Sequence, residues 1–151
     1  MSRALLLRPG VFVAFSLVYA LAVVAGRATR LGGGEVALLW PAAAVSVIWV
    51  LSAQRYCHWV RTIHIAMLGF SAFFTTMATG AAAAFSAWFA LDAVVLAVVT
   101  VKVLTYRGKE VVLRDPVDLG RLLAAVLCGC GSAAVWAAVF VVATTGAPIW
   151  Q

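Results

Sequence analysis

One acid sits in the middle of an apolar stretch long enough to cross a lipid bilayer. Residues 81–104 are interrupted only by Ser86, Trp88, Asp92, Thr100 and Lys102. As a helix, a run of that length rises about 36 Å, more than the ~30 Å of a hydrocarbon core. Asp92 falls near its midpoint, where a carboxylate costs about 2.5–3.5 kcal/mol on insertion scales. An acid held at that depth faces a protein interior, a partner group or water, not acyl chains. The stretch therefore predicts further helices arranged as a wall around one carboxylate.

The rest of the chain supplies them. Of 151 residues, 66% are hydrophobic and 11% charged. A soluble domain of this size has no interior large enough for that much apolar side chain, so the solvent must be lipid. The net charge of +6 does not point to nucleic acid. The basic residues sit in short segments between apolar runs, where they orient membrane helices. Three cysteines, Cys57, Cys128 and Cys130, make no disulfide framework and are expected to be small packing residues. Gly32-Gly33-Gly34 has no following Lys-Ser/Thr and predicts a flexible connector, not a phosphate loop. No nucleophile–base pair, metal-ligand cluster or nucleotide motif stands out, so neither catalysis, a metal nor a cofactor is expected.

Taken in order, the chain opens on a basic arm with Arg3 and Arg8, broken by Pro9-Gly10. The run 11–25 resembles a secretory leader ending at Ala20-Leu21-Ala22. More apolar runs follow it, which favours a retained first helix. Further spans are expected over 36–53, 60–79 and 81–104. Gly80 marks a tight turn, and Gly80 and Ala84 form a small-xxx-small pair suited to close helix approach. Asp115-Pro116-Val117-Asp118 reads as a helix start, with Asp115 as N-cap and Pro116 at the first position. That last helix enters the hydrocarbon near Leu122 and leaves near Thr144, with Gly129, Ala133 and Ala137 along one face. The chain thus predicts an all-α, polytopic transmembrane bundle of five membrane-spanning helices, read as one membrane-integral domain over 1–151.

Charge sets the orientation. A cytoplasmic N-terminus puts Arg3, Arg8, Arg55, Arg61, Lys102, Arg107, Lys109, Arg114 and Arg121 inside, and Arg27 and Arg30 outside. That bias predicts a multi-pass protein of a bacterial inner or plasma membrane, its N-terminus cytoplasmic and the C-terminus of this chain outside. Tyr56, Trp59 and Tyr106 then mark the inner interface, and Trp40 and Trp150 the outer one.

Near the midpoint of each span lies a polar side chain: Tyr19, Ser46, Ser71, Asp92 and Ser132. They suggest a polar layer at mid-depth, although membrane serines often bond to their own preceding turn. Lys102 lies about 15 Å along the helix from Asp92 and should snorkel to the headgroups rather than pair with it. His64, in the inner third of the third span, is a candidate interfacial hydrogen bonder or proton-sensing group. For Asp92 three readings stay open. It can be a neutral acid donating to a serine or carbonyl, a ligand, ion or proton site, or a contact with a helix outside this chain.

Leu39-Trp40-Pro41-Ala42-Ala43-Ala44 resembles the start of the second helix of the MASE1 domain, a bacterial membrane-integral sensory input domain. Leu68-Gly69-Phe70-Ser71-Ala72-Phe73 is similar to that family's glycine-containing third helix. Phe89-Ala90-Leu91-Asp92-Ala93 stands where the family has an Asn-x-Leu-Glu-Ala-like stretch. Arg114-Asp115 through Asp118-Leu119, then Ser132-Ala133, resembles its fifth helix. Here Phe89 replaces a polar residue, Asp92 a longer acid, and Ala44 a frequent glycine.

The resemblance implies a sensory module that couples a small ligand or the state of the membrane to a cytoplasmic output domain outside this chain. In the family such outputs are diguanylate cyclases, cyclic-di-GMP phosphodiesterases or histidine kinases. The family domain has about eight helices, so five spans would be its first part or a shortened form. Trp40, Pro41 and Asp92 are the expected ligand-binding residues, and 114–121 the expected region of transmission. The expected partners are the lipid bilayer, the output domain and a second copy of the chain, with no nucleic acid. The alternative is a small proton- or ion-coupled transporter subunit in which Asp92 titrates.

Overall fold

A computed structural model describes residues 9–28, 41–106 and 116–145. These residues form five helices: α1 (Pro9–Ala28), α2 (Pro41–Ala53), α3 (His58–Ala78), α4 (Ala83–Leu104) and α5 (Pro116–Thr145). No strand occurs among the described residues. Four of the helices, α1, α3, α4 and α5, are long and apolar enough to cross a membrane. The 13 residues of α2 rise only about 20 Å. The earlier part of the span expected there, residues 36–40, lies outside the described residues.

Contacts group the chain into two compact units, Met1–Val94 and Val95–Gln151. In the first, α1, α2 and α3 pack on one another. Each contributes one stripe of its surface. On α1 the stripe passes through Tyr19, Ala22 and Val23, on α2 through Ala42, Ser46, Trp49, Val50 and Ala53. On α3 it recurs every fourth residue, Val60, His64, Leu68, Ala72 and Thr76, the period that keeps side chains on one helix face. The opposite faces carry large apolar groups: Leu17 is 60% and Leu21 69% exposed, Phe70 and Phe74 each 61%. Polar groups inside and leucines outside invert the soluble pattern and suit a lipid solvent.

Helix ends explain where the elements stop. α1 continues three residues past the expected end at 25 because Arg27 finds a partner in its last turn: its guanidinium donates to the Thr79 carbonyl at 3.1 Å. A cation there also meets the negative end of α3. The α3–α4 corner is a Schellman motif. Ala81 N–H donates to the Thr76 carbonyl at 3.3 Å, and Gly80 N–H to that of Met77 at 2.9 Å. Gly80 has φ +91° with open space around it, so the conformation, not the volume, calls for glycine. This corrects the small-xxx-small expectation: Gly80 lies in the turn, Ala84 is exposed, and α4 begins at Ala83.

In the second unit the end of α4 meets α5. Ala97, Val101, Leu104 and Ala125 are buried. A Cβ on Gly129 would collide with Thr100 Oγ1 and lie 3.3 Å from the Leu96 carbonyl oxygen. The small stripe expected on α5 therefore works through Ala125 and Gly129. Ala133 is half-buried and Ala137 exposed. Arg121 donates to the Leu104 carbonyl at 2.7 Å, capping α4, and lies 3.7 Å from Asp118. Cys128 and Cys130 are exposed on α5, not packed as expected. The Asp115 N-cap and the loop before it lie outside the described residues.

Candidate functional site

The interior of the first unit is polar in steps. At the level where α2 ends and α3 begins, the Trp49 indole N–H donates to His64 Nδ1 at 3.0 Å. Both side chains are fully enclosed. A nitrogen that accepts carries no proton, so this bond assigns the imidazole proton to Nε2. Rings close the cluster. Phe12 lies 4.6 Å and Tyr56 5.5 Å from His64, centroid to centroid, and Phe15 stacks on Trp49 at 5.2 Å. Tyr56, expected in the inner aromatic belt, thus turns inward, while Trp59 and Tyr106 remain exposed.

One turn along α1, the hydroxyls of Ser16 and Ser71 pair at 2.9 Å and link α1 to α3. The other mid-depth serines look after themselves. Ser46 donates to the Ala43 carbonyl at 2.8 Å, and Ser132 to that of Gly129 at 2.7 Å. Such local bonds satisfy the hydroxyl without joining helices.

A further turn along α1 lies Tyr19, wholly buried, with no hydrogen-bond partner for its hydroxyl. Asp92 stands well inside α4. Its Oδ1 is also buried and unpartnered. Two buried polar atoms, one charged when ionised, thus carry unused hydrogen-bonding capacity. Leaving such groups unmatched costs about 1–3 kcal/mol each, and more for a charge. Ser86 Oγ is buried and unpartnered too. It lies about 9 Å nearer the start of α4 and well round the helix from Asp92.

Of the ligand-binding residues expected from the sequence, Trp40 lies outside the described residues. Pro41 opens α2 and is exposed. Asp92 is more than two turns inside α4. The sequence reading missed the Trp49–His64 bond and the role of Ser16. A hairpin signal was present: residues 54–57 make a short turn, which folds Trp49 back alongside His64.

No group of three or more His, Cys, Asp or Glu side chains suited to a metal occurs among the described residues. An apolar groove of about 510 Å³, lined by Ala66, Gly69, Phe70, Phe74, Ala87 and Leu91 among others, opens on the α3–α4 face. Asp92 does not line it, so the groove and the polar atoms are separate features. No family model, no curated protein and no solved structure matches this chain.

Proposed function

We propose that this chain is the membrane-integral input module of a bacterial signalling protein, a relative of the MASE1 domains, in which a small ligand at Asp92 biases the packing of the helices and so drives a cytoplasmic output domain. In this reading all five helices cross the membrane, and the N-terminus is cytoplasmic. The observation that carries the proposal is Asp92 itself: an acid well inside α4 whose Oδ1 is buried without a hydrogen-bond partner, in a unit whose outer faces are apolar. A structural acid would be matched by its neighbours. An unmatched one is suited to a ligand that binds one helix arrangement better than another, as any ligand-driven shift requires. Support also comes from the Leu39-Trp40-Pro41 resemblance and the arginine and lysine distribution.

The function is tested on the native gene, expressed with whatever follows residue 151. Asp92→Asn is expected to fix the output, whether cyclic-di-GMP level or kinase autophosphorylation, at one value across growth conditions that modulate the wild type. An Asp92→Asn protein that reaches the membrane and responds as the wild type does would end the reading. The orientation has its own test in Cys57, exposed in the α2–α3 turn. A membrane-impermeant maleimide should label it only after the cells are opened. Labelling of Cys57 in intact cells would reverse the topology.

A further inference from the structure

We propose that the bond from the Trp49 indole to His64 is a latch that a proton opens: uptake at His64 Nδ1 breaks it and frees the end of α2 from α3. Asp92 takes no part, so this inference and the reading above stand or fall separately.

Trp49 lies near the end of α2 and His64 in the second turn of α3, with only the turn at 54–57 between the two helices. The indole donates to Nδ1 at 3.0 Å, and both side chains are fully enclosed. An indole nitrogen is a donor only. It holds the imidazole only while Nδ1 keeps its lone pair. A proton taken from solvent onto that lone pair gives an imidazolium, with N–H groups on both ring nitrogens. Two donors then point at each other with nothing to accept either, and one ring has to move. Trp49 also stacks on Phe15 of α1 at 5.2 Å, so the parting is felt on α1 as well.

The surroundings suit the new charge. Phe12 and Tyr56 lie 4.6 Å and 5.5 Å from the imidazole, with planes tilted from it by 32° and 15°. Both are inside the ~6 Å at which an aromatic face attracts a cation. Tyr56 is half-buried between exposed Arg55 and Cys57, so at that point one side chain separates His64 from solvent.

The titratable and charged groups at this level, among the described residues, come from the turn and from α3 itself. They are Arg55, Tyr56, His58 and Arg61. Arg61 donates to Gln54 Oε1 at 3.1 Å, and Arg55 and His58 are exposed. α2 carries no titratable side chain. α1 presents Phe12 and Phe15, with its Tyr19 and Arg27 at least one turn further along. Of the groups named, only the two imidazoles ordinarily change charge between about pH 5 and pH 8.

The chain has two histidines, so imidazole-15N labelling of the full chain in lipid nanodiscs gives two ring systems. His58→Gln tells them apart, and the Trp49 indole resonance is the one missing in Trp49→Phe. At neutral pH His64 should carry its proton on Nε2 alone. On titration to about pH 4.5, two units below an ordinary imidazole, it should gain a second on Nδ1. The Trp49 resonance should move with the same midpoint. His64→Asn keeps an acceptor near the Nδ1 position and does not titrate, so its Trp49 resonance should stay in place. At the acid end, the amides of residues 50–53 should exchange about fivefold faster in the wild type than in His64→Asn, the effect of losing one hydrogen bond of ordinary strength.

A His64 that stays neutral to the acid end overturns the latch. So does a Trp49 resonance that ignores the titration of His64 or moves equally in His64→Asn, and so does equal exchange in the two proteins. Should His64→Asn not fold, the wild-type titration decides by itself: either the two midpoints coincide or the latch is wrong.

Discussion

The two units of this protein solve the same problem in different ways. Both hold together helices whose outer faces are apolar, and in lipid the burial of hydrocarbon gives such helices little drive. The first unit does it with polar groups: Trp49 to His64, Ser16 to Ser71, Arg27 to the Thr79 carbonyl. The second does it by close approach, Gly129 against Thr100 with Ala125 buried beside it, and keeps its charged contact at the helix end, at Arg121. Polar bonding is directional and leaves room for a group to be unmatched, as Tyr19 and Asp92 are. Small-residue packing admits no such gap. The contrast leaves unmatched polar atoms in the first unit and a closely packed seam in the second.

The seam is the easier of the two to break. Gly129→Leu should have the largest effect, because its side chain meets Thr100 and the Leu96 backbone oxygen. A loss of about 1–3 kcal/mol or more, typical of overpacking, should appear as a lower melting temperature in detergent. Gly131→Leu, which meets open space, should change little, and equal losses at the two glycines would erase the contrast. In the polar unit Trp49→Phe keeps a ring on Phe15 but strands His64 Nδ1, and should cost about 1–3 kcal/mol. Thermal unfolding of that variant beside His64→Leu and the double variant isolates the bond. A coupling energy of zero would make the cluster merely apolar. The smallest effect belongs to Ser16→Ala and Ser71→Ala. Their double-mutant cycle should give about 0.6 kcal/mol, the usual worth of a hydrogen bond between membrane helices. A value above that of Trp49–His64 would move the centre of the unit to mid-depth.

Much of the fold was legible because its signals are local. Apolar runs of sufficient length, Gly80 after the third and Pro116 before the last place helix limits within a few residues, since backbone geometry constrains glycine and proline wherever they stand. The site was only half legible. Asp92 announces itself by depth, because any ionisable group in hydrocarbon is costly. Tyr19 is marked by the same depth, but that its hydroxyl is enclosed and unmatched emerges only from the packing of α1. Trp49 and His64 escaped for a related reason: their meeting depends on how two stripes face each other across a turn, not on either stripe alone. The Gly80–Ala84 spacing shows the opposite error, a motif read for packing where a backbone angle explains the glycine. Trp40 lies outside the described residues, so its role rests on sequence alone.

The corner joining α3 to α4 has a mechanical consequence. It is fastened by its own backbone bonds and by the Arg27 clasp on Thr79, which together oppose any sliding of α4 along its length. The start of α4 and the last turn of α1 thereby share one anchor, the end of α3.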